Sequence, residues 1–196
     1  MTPRPSTGVR ERIVAAAQTT IHERGYHGAS VDEILSRAGA TKGGMYHHFQ
    51  DKDALGAAVV NERLRSFIEA RWGGTEWHAD PLTHLREALT GMQEEHLLRG
   101  CPVNSLAQEV AFHQEQLRGE LADLFERWMT LIAAGLQAGV EGGAVRADAD
   151  PHQVAAYYLS VWEGVVALAK TNRRGLDWVR WVVEPLQTHL ESLRPD

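Results

Sequence analysis

Apolar residues recur three and four positions apart along almost the whole chain, and no stretch alternates long enough to read as a strand. The first run, over about 8–24, carries Val9, Ile13, Ala16, Ala17, Thr20 and Ile21 at this spacing and stops at Gly25, a residue suited to the position just past a helix C-terminus. Ser30-Val-Asp-Glu33 has the form of a capping box, in which the hydroxyl caps the first turn and Glu33 reaches back. A short helix over 31–38 is expected there, ended by Gly39. Only Ala40 and Thr41 separate it from a third helix over 42–49. Asp51 then caps a long helix over about 52–72, closed by Gly73-Gly74.

Asp80-Pro81 and Asp150-Pro151 use one device twice, an Asp at N-cap and a Pro at N1. The first opens a helix over about 81–99, stopped by Gly100; the second opens one over about 151–170. Between them 104–112 and 116–138 read as a short and a long helix, followed by a Gly-rich turn over 139–148. The last helix, about 176–193, contains Pro185, which predicts a kink or break near Trp181. No repeat or low-complexity segment is present. The fold class is all-α, about nine helices.

Composition narrows the function. At 196 residues, 43% hydrophobic and 23% charged, the chain can bury a core and is not a disordered sequence. The single cysteine, Cys101, excludes an intrachain disulfide and a zinc ribbon. Residues 1–10 hold no apolar stretch that reads as a signal peptide. The nearly apolar stretch 154–169 is interrupted by Glu163 and too short to span a bilayer. A cytoplasmic protein without membrane contact is expected. The ten histidines form no H-x-x-x-H pair with nearby carboxylates, no Gly-rich phosphate loop follows a strand, and no catalytic triad can be argued. No metal, no cofactor and no enzymatic activity are expected. Cys101, before Pro102, reads either as a thiol activated at a helix start or, more commonly, as a small buried residue.

The net charge of −6 argues against nucleic acid, but its distribution does not: residues 1–52 are net +2 and residues 53–196 net −8. Any polyanion meets the N-terminal end first. That end has the dimensions of a helix-turn-helix over 31–48. Wound as a helix, 42–49 puts Met45 and Phe49 together, able to pack on Ile13, Ile34 and Leu55, and puts Gly43, Gly44 and His47 on the other side. Two adjacent glycines on an outer face cost about 1 kcal/mol each relative to Ala. Close approach of double-stranded DNA is the reading that explains them.

The run Ala40-Thr-Lys-Gly-Gly-Met-Tyr-His-His-Phe-Gln-Asp-Lys-Asp-Ala-Leu55, with Gly25-Tyr26 and Ser30-Val-Asp-Glu-Ile34 before it, resembles the DNA-binding domain of the TetR family of bacterial transcriptional regulators over about residues 9–58. Gly143-Ala-Val-Arg146-Ala-Asp-Ala-Asp-Pro151 is similar to the turn before the penultimate helix of many members, and Gly100-Cys-Pro-Val-Asn-Ser-Leu106 to the start of a body helix in one subgroup. The resemblance implies a helix-turn-helix domain over 8–52 and an effector-binding and dimerisation domain over 53–196. It places Thr41 and Lys42 at the start of the recognition helix, on bases and phosphate, and Gly43, Gly44, Tyr46 and His47 on the DNA side. His48 either touches phosphate or packs; Lys52 and Ser30, at helix starts, suit phosphates. With no side chain at Gly43 or Gly44, base readout falls to Thr41, Lys42 and Arg37. Arg4 and Arg10 are candidates for an arm into an adjacent groove.

The stretch 151–170 is apolar nearly all round, and a helix with two apolar faces needs a second interface. A four-helix bundle between two copies, from this helix and the last, is expected, with Tyr158, Val161, Gly164, Val165, Trp181, Leu186 and Leu190 at its seam; the resemblance implies the same homodimer, on a palindromic operator. All six tryptophans lie beyond the DNA unit. Trp72, Trp128 and Trp162 fall on helices that line the family's ligand cavity, with Met92, His96, Gln108 and Phe112 as further candidates for a small, apolar or aromatic effector. The expected function is a ligand-responsive repressor, an activator being open. The rival reading is an all-α small-molecule binding protein without specific DNA binding.

Overall fold

A computed structural model of the chain describes residues 8–91, 94–171 and 173–195, apart from the side chains of Glu95 and His96. Among the described residues there is no strand. Helices α1 (Val9–Arg24), α2 (Val31–Ala38) and α3 (Lys42–His48) follow the sequence pattern. Their caps are those the residue types dictate: Glu33 N–H donates to Ser30 Oγ at 3.1 Å and Gly44 N–H to Thr41 Oγ1 at 3.1 Å. Gly39 closes α2 at φ 57°, where only glycine escapes a Cβ penalty. The reciprocal half of the expected capping box is absent, because ion pairs to Arg37 at 3.1 Å and Arg24 at 3.7 Å take up the Glu33 carboxylate.

The helix from Lys52 to Trp72 is continuous but not uniform. It runs as α4 (Lys52–Ala58), a π-helical segment (Val59–Leu64) and α5 (Arg65–Trp72). Further on, α6 (Pro81–Thr90) ends about three turns into what reads as a single helix, and α7 (Glu94–Arg99) follows. The Gly91 N–H closes α6 on Glu87 O at 2.7 Å. Then come α8 (Pro102–Val110), α9 (Glu115–Glu141), α10 (Pro151–Thr171) and α11 (Gly175–Glu191). Of the kink or break expected near Trp181, the break does not occur: α11 runs through Pro185, which is exposed, while Val183, Leu186 and Leu190 bury the other side.

By contacts the chain divides into two compact units, Met1–Phe67 with Ser105–Leu124, and Ile68–Asn104 with Phe125–Asp196. This is a different cut from the functional one at 52/53. In the first unit α1 packs on α2, α3, α4 and the π segment. Ile13, Ile34, Met45 and Leu55 are fully buried at the centre, the set the pattern singled out. A Cβ on Gly56 would lie 3.1 Å from both Leu117 Cδ2 and Tyr26 Cε2, so this glycine sets how closely α4 approaches the start of α9.

In the second unit α10 packs on α7 and α11, and α11 on α6. Its aromatic centre joins Trp72, Trp77, His84 and Tyr158. The Trp77 and His84 rings stack at 4.8 Å, and Trp72 meets Trp77, His84 and Tyr158 edge-on at 5.8, 5.3 and 6.3 Å. The Tyr158 hydroxyl donates to Leu85 O at 3.1 Å, which satisfies the one polar atom of a buried side chain.

Candidate nucleic-acid interface

Helix α3 has two unlike sides. Met45 and Phe49 are buried, while Thr41, Lys42, Gly43, Tyr46, His47 and His48 are exposed. A Cβ on Gly43 would meet nothing within 4 Å, and one on Gly44 would meet only Thr41 Oγ1 at 3.4 Å and Val9 Cγ1 at 3.8 Å. Neither glycine is needed for packing inside the unit. His47 and His48 lie ring edge to ring face at 5.0 Å, so His48 stays on the outer surface with His47. Ser30 is exposed at the start of α2, and its Oγ is committed to the cap.

Three candidate cations are already engaged. The Lys42 ammonium lies 2.8 Å from Asp32 Oδ1, and this hydrogen bond raises its pKa. Arg37 is fastened to Glu23 at 2.7 Å and Glu33 at 3.1 Å, so the base-reading role expected of it competes with two carboxylates. Lys52 turns away from the outer surface. Its Nζ donates to Tyr26 O and sits 4.5 Å from the Tyr26 ring centroid, and burial lowers its pKa. Of the two arginines considered for an arm, Arg4 lies outside the described residues. Arg10 pairs with Glu62 and covers the Phe49 ring at 5.2 Å.

Of these acidic partners only Glu33, four residues before Arg37 on one helix, follows from spacing; two further contacts around the helix-turn-helix do not. Tyr26 donates its hydroxyl to Asp53, and burial followed by that bond raises its pKa. Glu109 of α8 accepts from His27 N–H at 3.3 Å, beside Gly25. These partners are 27 and 82 residues apart, beyond any periodicity.

The expected ligand residues scatter. Trp128 and Trp162 are buried in the second unit, and Trp72 is closed into its aromatic centre. Gln108 is exposed, and so is Phe112, at 88%, because α8 ends at Val110 and the turn after it points outward. Met92 lies outside the described residues, as does the His96 side chain. Two open grooves of the second unit, of about 560 and 540 Å³, are lined by none of these seven residues. Of the expected seam, Tyr158, Val165, Leu186 and Leu190 turn into the chain's own core. The exposed apolar residues of α10 and α11 are instead Tyr157, Leu168 and Trp181, with Gly164 exposed and Val161 half-buried beside them.

One polar group of this unit was not foreseen as functional. Glu163, on α10, is 7% exposed, and neither carboxylate oxygen has a hydrogen-bond partner of acceptable geometry. The Cys101 thiol and the Asn104 amide, at the start of α8, are its polar neighbours, and Asn104 Nδ2 donates to Glu163 O at 3.3 Å. Burial pushes the carboxyl up to about 7. Burial and then the adjacent acid also push the Cys101 thiol up, the opposite of an activated thiolate.

A helix-turn-helix whose second helix turns small and polar residues outward from a buried hydrophobic side defines a sequence-reading DNA-binding protein. A family model described as "Bacterial regulatory proteins, tetR family" matches residues 13–59, and one described as "Tetracyclin repressor-like, C-terminal domain" matches residues 82–180. The chain belongs to the TetR family of transcriptional regulators, as the residues of α2 and α3 led one to expect. It is similar to the HTH-type transcriptional repressor DhaR of Mycobacterium sp. strain GP1, 29% identical over 90% of this chain and 91% of that one. The transcriptional regulator AcuR of Cereibacter sphaeroides is 30% identical over 84% and 77%. A TetR regulatory protein of Rhodobacter sphaeroides, solved by crystallography, matches at TM-score 0.77 and 28% identity over 92% of this chain and 98% of that one. The protein is therefore a DNA-binding regulator and not an enzyme. Among the described residues no helix is long and apolar enough to cross a membrane.

Proposed function

We propose that this regulator is a repressor, bound to a palindromic operator as a homodimer and released by a mid-sized, largely apolar or aromatic effector held in the body. The DNA half rests on one observation, the open outer side of α3. There Gly43 and Gly44 let backbone come close to the duplex while Thr41, Lys42, Tyr46, His47 and His48 surround them. Thr41 and Lys42 read bases; Tyr46, His47, His48 and Ser30 hold phosphate and register. Lys52 and Arg37 serve the fold first, through Tyr26 and the two glutamates. The name of the relative DhaR, a repressor, supports the sign.

The dimer seam in this reading is the stripe Tyr157, Val161, Gly164 and Leu168 on α10 with Trp181 on α11. It is spaced along one face of α10 and, with Trp181, holds the large apolar side chains that α10 and α11 leave exposed. Two copies would then set their α3 helices about one helical turn of DNA apart. Release requires the effector to favour the conformation that does not fit the operator. The helix from Lys52 to Trp72, with its π-helical middle, carries that preference along the chain to the DNA unit.

Selection of random duplex DNA on the purified protein at two salt concentrations tests this. A palindrome recovered at both is expected, with a log–log salt slope near about −7 for eight phosphate contacts per dimer. A folded dimer that enriches no sequence, or only non-palindromic ones, would defeat the reading.

A further inference from the structure

A buried carboxylate without a hydrogen-bond partner is costly unless it is protonated or paired. Glu163 is such a group, and among the described residues no lysine, arginine or histidine forms an ion pair with it. The other acids of its unit that form ion pairs, Glu69, Asp80, Asp148, Asp177 and Glu191, all have arginine partners. We propose that the Glu163 carboxylate, with Cys101 just before α8 and Asn104 in its first turn beside it, is the polar anchor of the effector site, and that the effector carries a protonated amine on an aromatic body.

The geometry favours a small guest over the other occupants. Glu163 faces Cys101 and Asn104 within its own unit, whereas the proposed seam residues of α10, Tyr157, Val161, Gly164 and Leu168, lie on another side of the helix. A second copy seated on that stripe leaves Glu163 facing Cys101 and Asn104. A metal ion needs more oxygen or nitrogen ligands than one carboxylate, and no cluster of three His, Cys, Asp or Glu stands among the described residues. A ligand ammonium supplies a positive charge that the neighbouring thiol and amide do not, and a charge-assisted pair in a low-dielectric site is the strong form of that contact. Pairing also fixes the charge: an acid part-protonated near neutral pH gives up its proton to solvent as the ammonium arrives, so binding releases protons. Binding energy so placed bears on α8, whose other end holds His27 of the DNA unit through Glu109.

This inference rests on the regulator reading, and operator binding is measured on the same preparations so that the two can fail separately. Calorimetric titration of the full chain uses benzene, indole and naphthalene bodies, each bearing an ethylammonium, a hydroxyethyl or a propionate arm. The ammonium member of at least one body should bind tenfold or more tightly than its alcohol and its acid. It should release protons at pH 7, seen as heats that vary with buffer ionisation enthalpy, and lose at least tenfold in Glu163→Gln. Binding of no member, equal or tighter binding of alcohol or acid, or an ammonium preference that survives Glu163→Gln would overturn the proposal while operator binding stands. Should Glu163→Gln fail to fold, the buffer series on the unaltered protein decides alone, and absence of proton release overturns it.

Discussion

The Lys42 ammonium, on the first residue of the helix that faces DNA, is held 2.8 Å from the carboxylate of Asp32 on the helix before it. Both side chains are largely exposed, so the pair is weak and readily exchanged. A phosphate or a guanine edge that takes Lys42 must first displace Asp32. Asp32→Asn should therefore strengthen operator binding, by roughly fivefold at most. Lys42→Ala should weaken it on every sequence and flatten the salt slope by about one unit per contact removed. Equal slopes for Lys42→Ala and the unaltered protein would remove Lys42 from the interface.

Gly43 has open space where a β-carbon would go. Gly43→Ala should raise unfolding stability by about 1 kcal/mol, the ordinary helix-propensity difference. If α3 lies with its backbone against DNA, the same methyl should lower operator affinity. Thermal melts and a binding titration on one variant read both. A more stable protein with undiminished affinity would show that DNA does not approach that position.

Trp77 fills the space beside Gly135: a β-carbon there would sit 2.0 Å from the indole Cη2. Propensity alone favours Ala, but the ring is stacked on His84 and buried against Trp72 and has nowhere to give. Gly135→Ala should destabilise by about 1–3 kcal/mol, as overpacking does, and shift tryptophan emission to the red. An unchanged melting curve and spectrum would place the ring elsewhere.

The raised carboxyl of Glu163 gives a pH signature. The native state keeps a proton up to about 7 that the unfolded chain, with an ordinary carboxyl at 4.5, has already lost. This group's contribution to stability is therefore full below pH 4.5, falls as pH rises to 7 and is flat above, a loss on the order of 3 kcal/mol. Glu163→Gln should lose that slope and be the more stable protein at pH 8. Urea titrations at pH 5 and pH 8 test this; identical slopes in both proteins would mean the carboxyl is not desolvated.

Leu168 on α10 and Trp181 on α11 are large apolar side chains that are each about half exposed. If they form the seam, Leu168→Glu with Trp181→Glu should give a folded monomer by sedimentation that binds operator DNA poorly. A variant that remains a dimer would move the seam to another face.

The sequence by itself determined what depends on neighbours within a turn or two. Capping residues at Ser30, Thr41, Asp51, Asp80 and Asp150 mark helix starts through local hydrogen bonds that each segment makes alone. The spacing of Met45 and Phe49 showed which side of α3 is inward, and the residues of α2 and α3 led to the family. Local rules were also where the errors arose. Pro185 breaks an isolated helix, yet burial of Val183, Leu186 and Leu190 carries α11 through it. The apolar spacing over 81–99 runs on past Gly91, where the glycine ends α6.

Tertiary structure alone decided which polar groups meet. Lys52 reads as a free cation at a helix start until the Tyr26 carbonyl and ring claim it. Arg37 reads as a base-reader until Glu23 and Glu33 hold it. On α10, apolar residues surround the helix, so periodicity could not say that Tyr158 and Val165 face the core while Tyr157 and Leu168 stay outside. Glu163, an interruption in an apolar stretch, became a candidate anchor only when the fold buried it beside Cys101 and Asn104. A charge's role depends on what lies within a few ångströms, and for these residues that neighbourhood is made by chain segments tens of positions away.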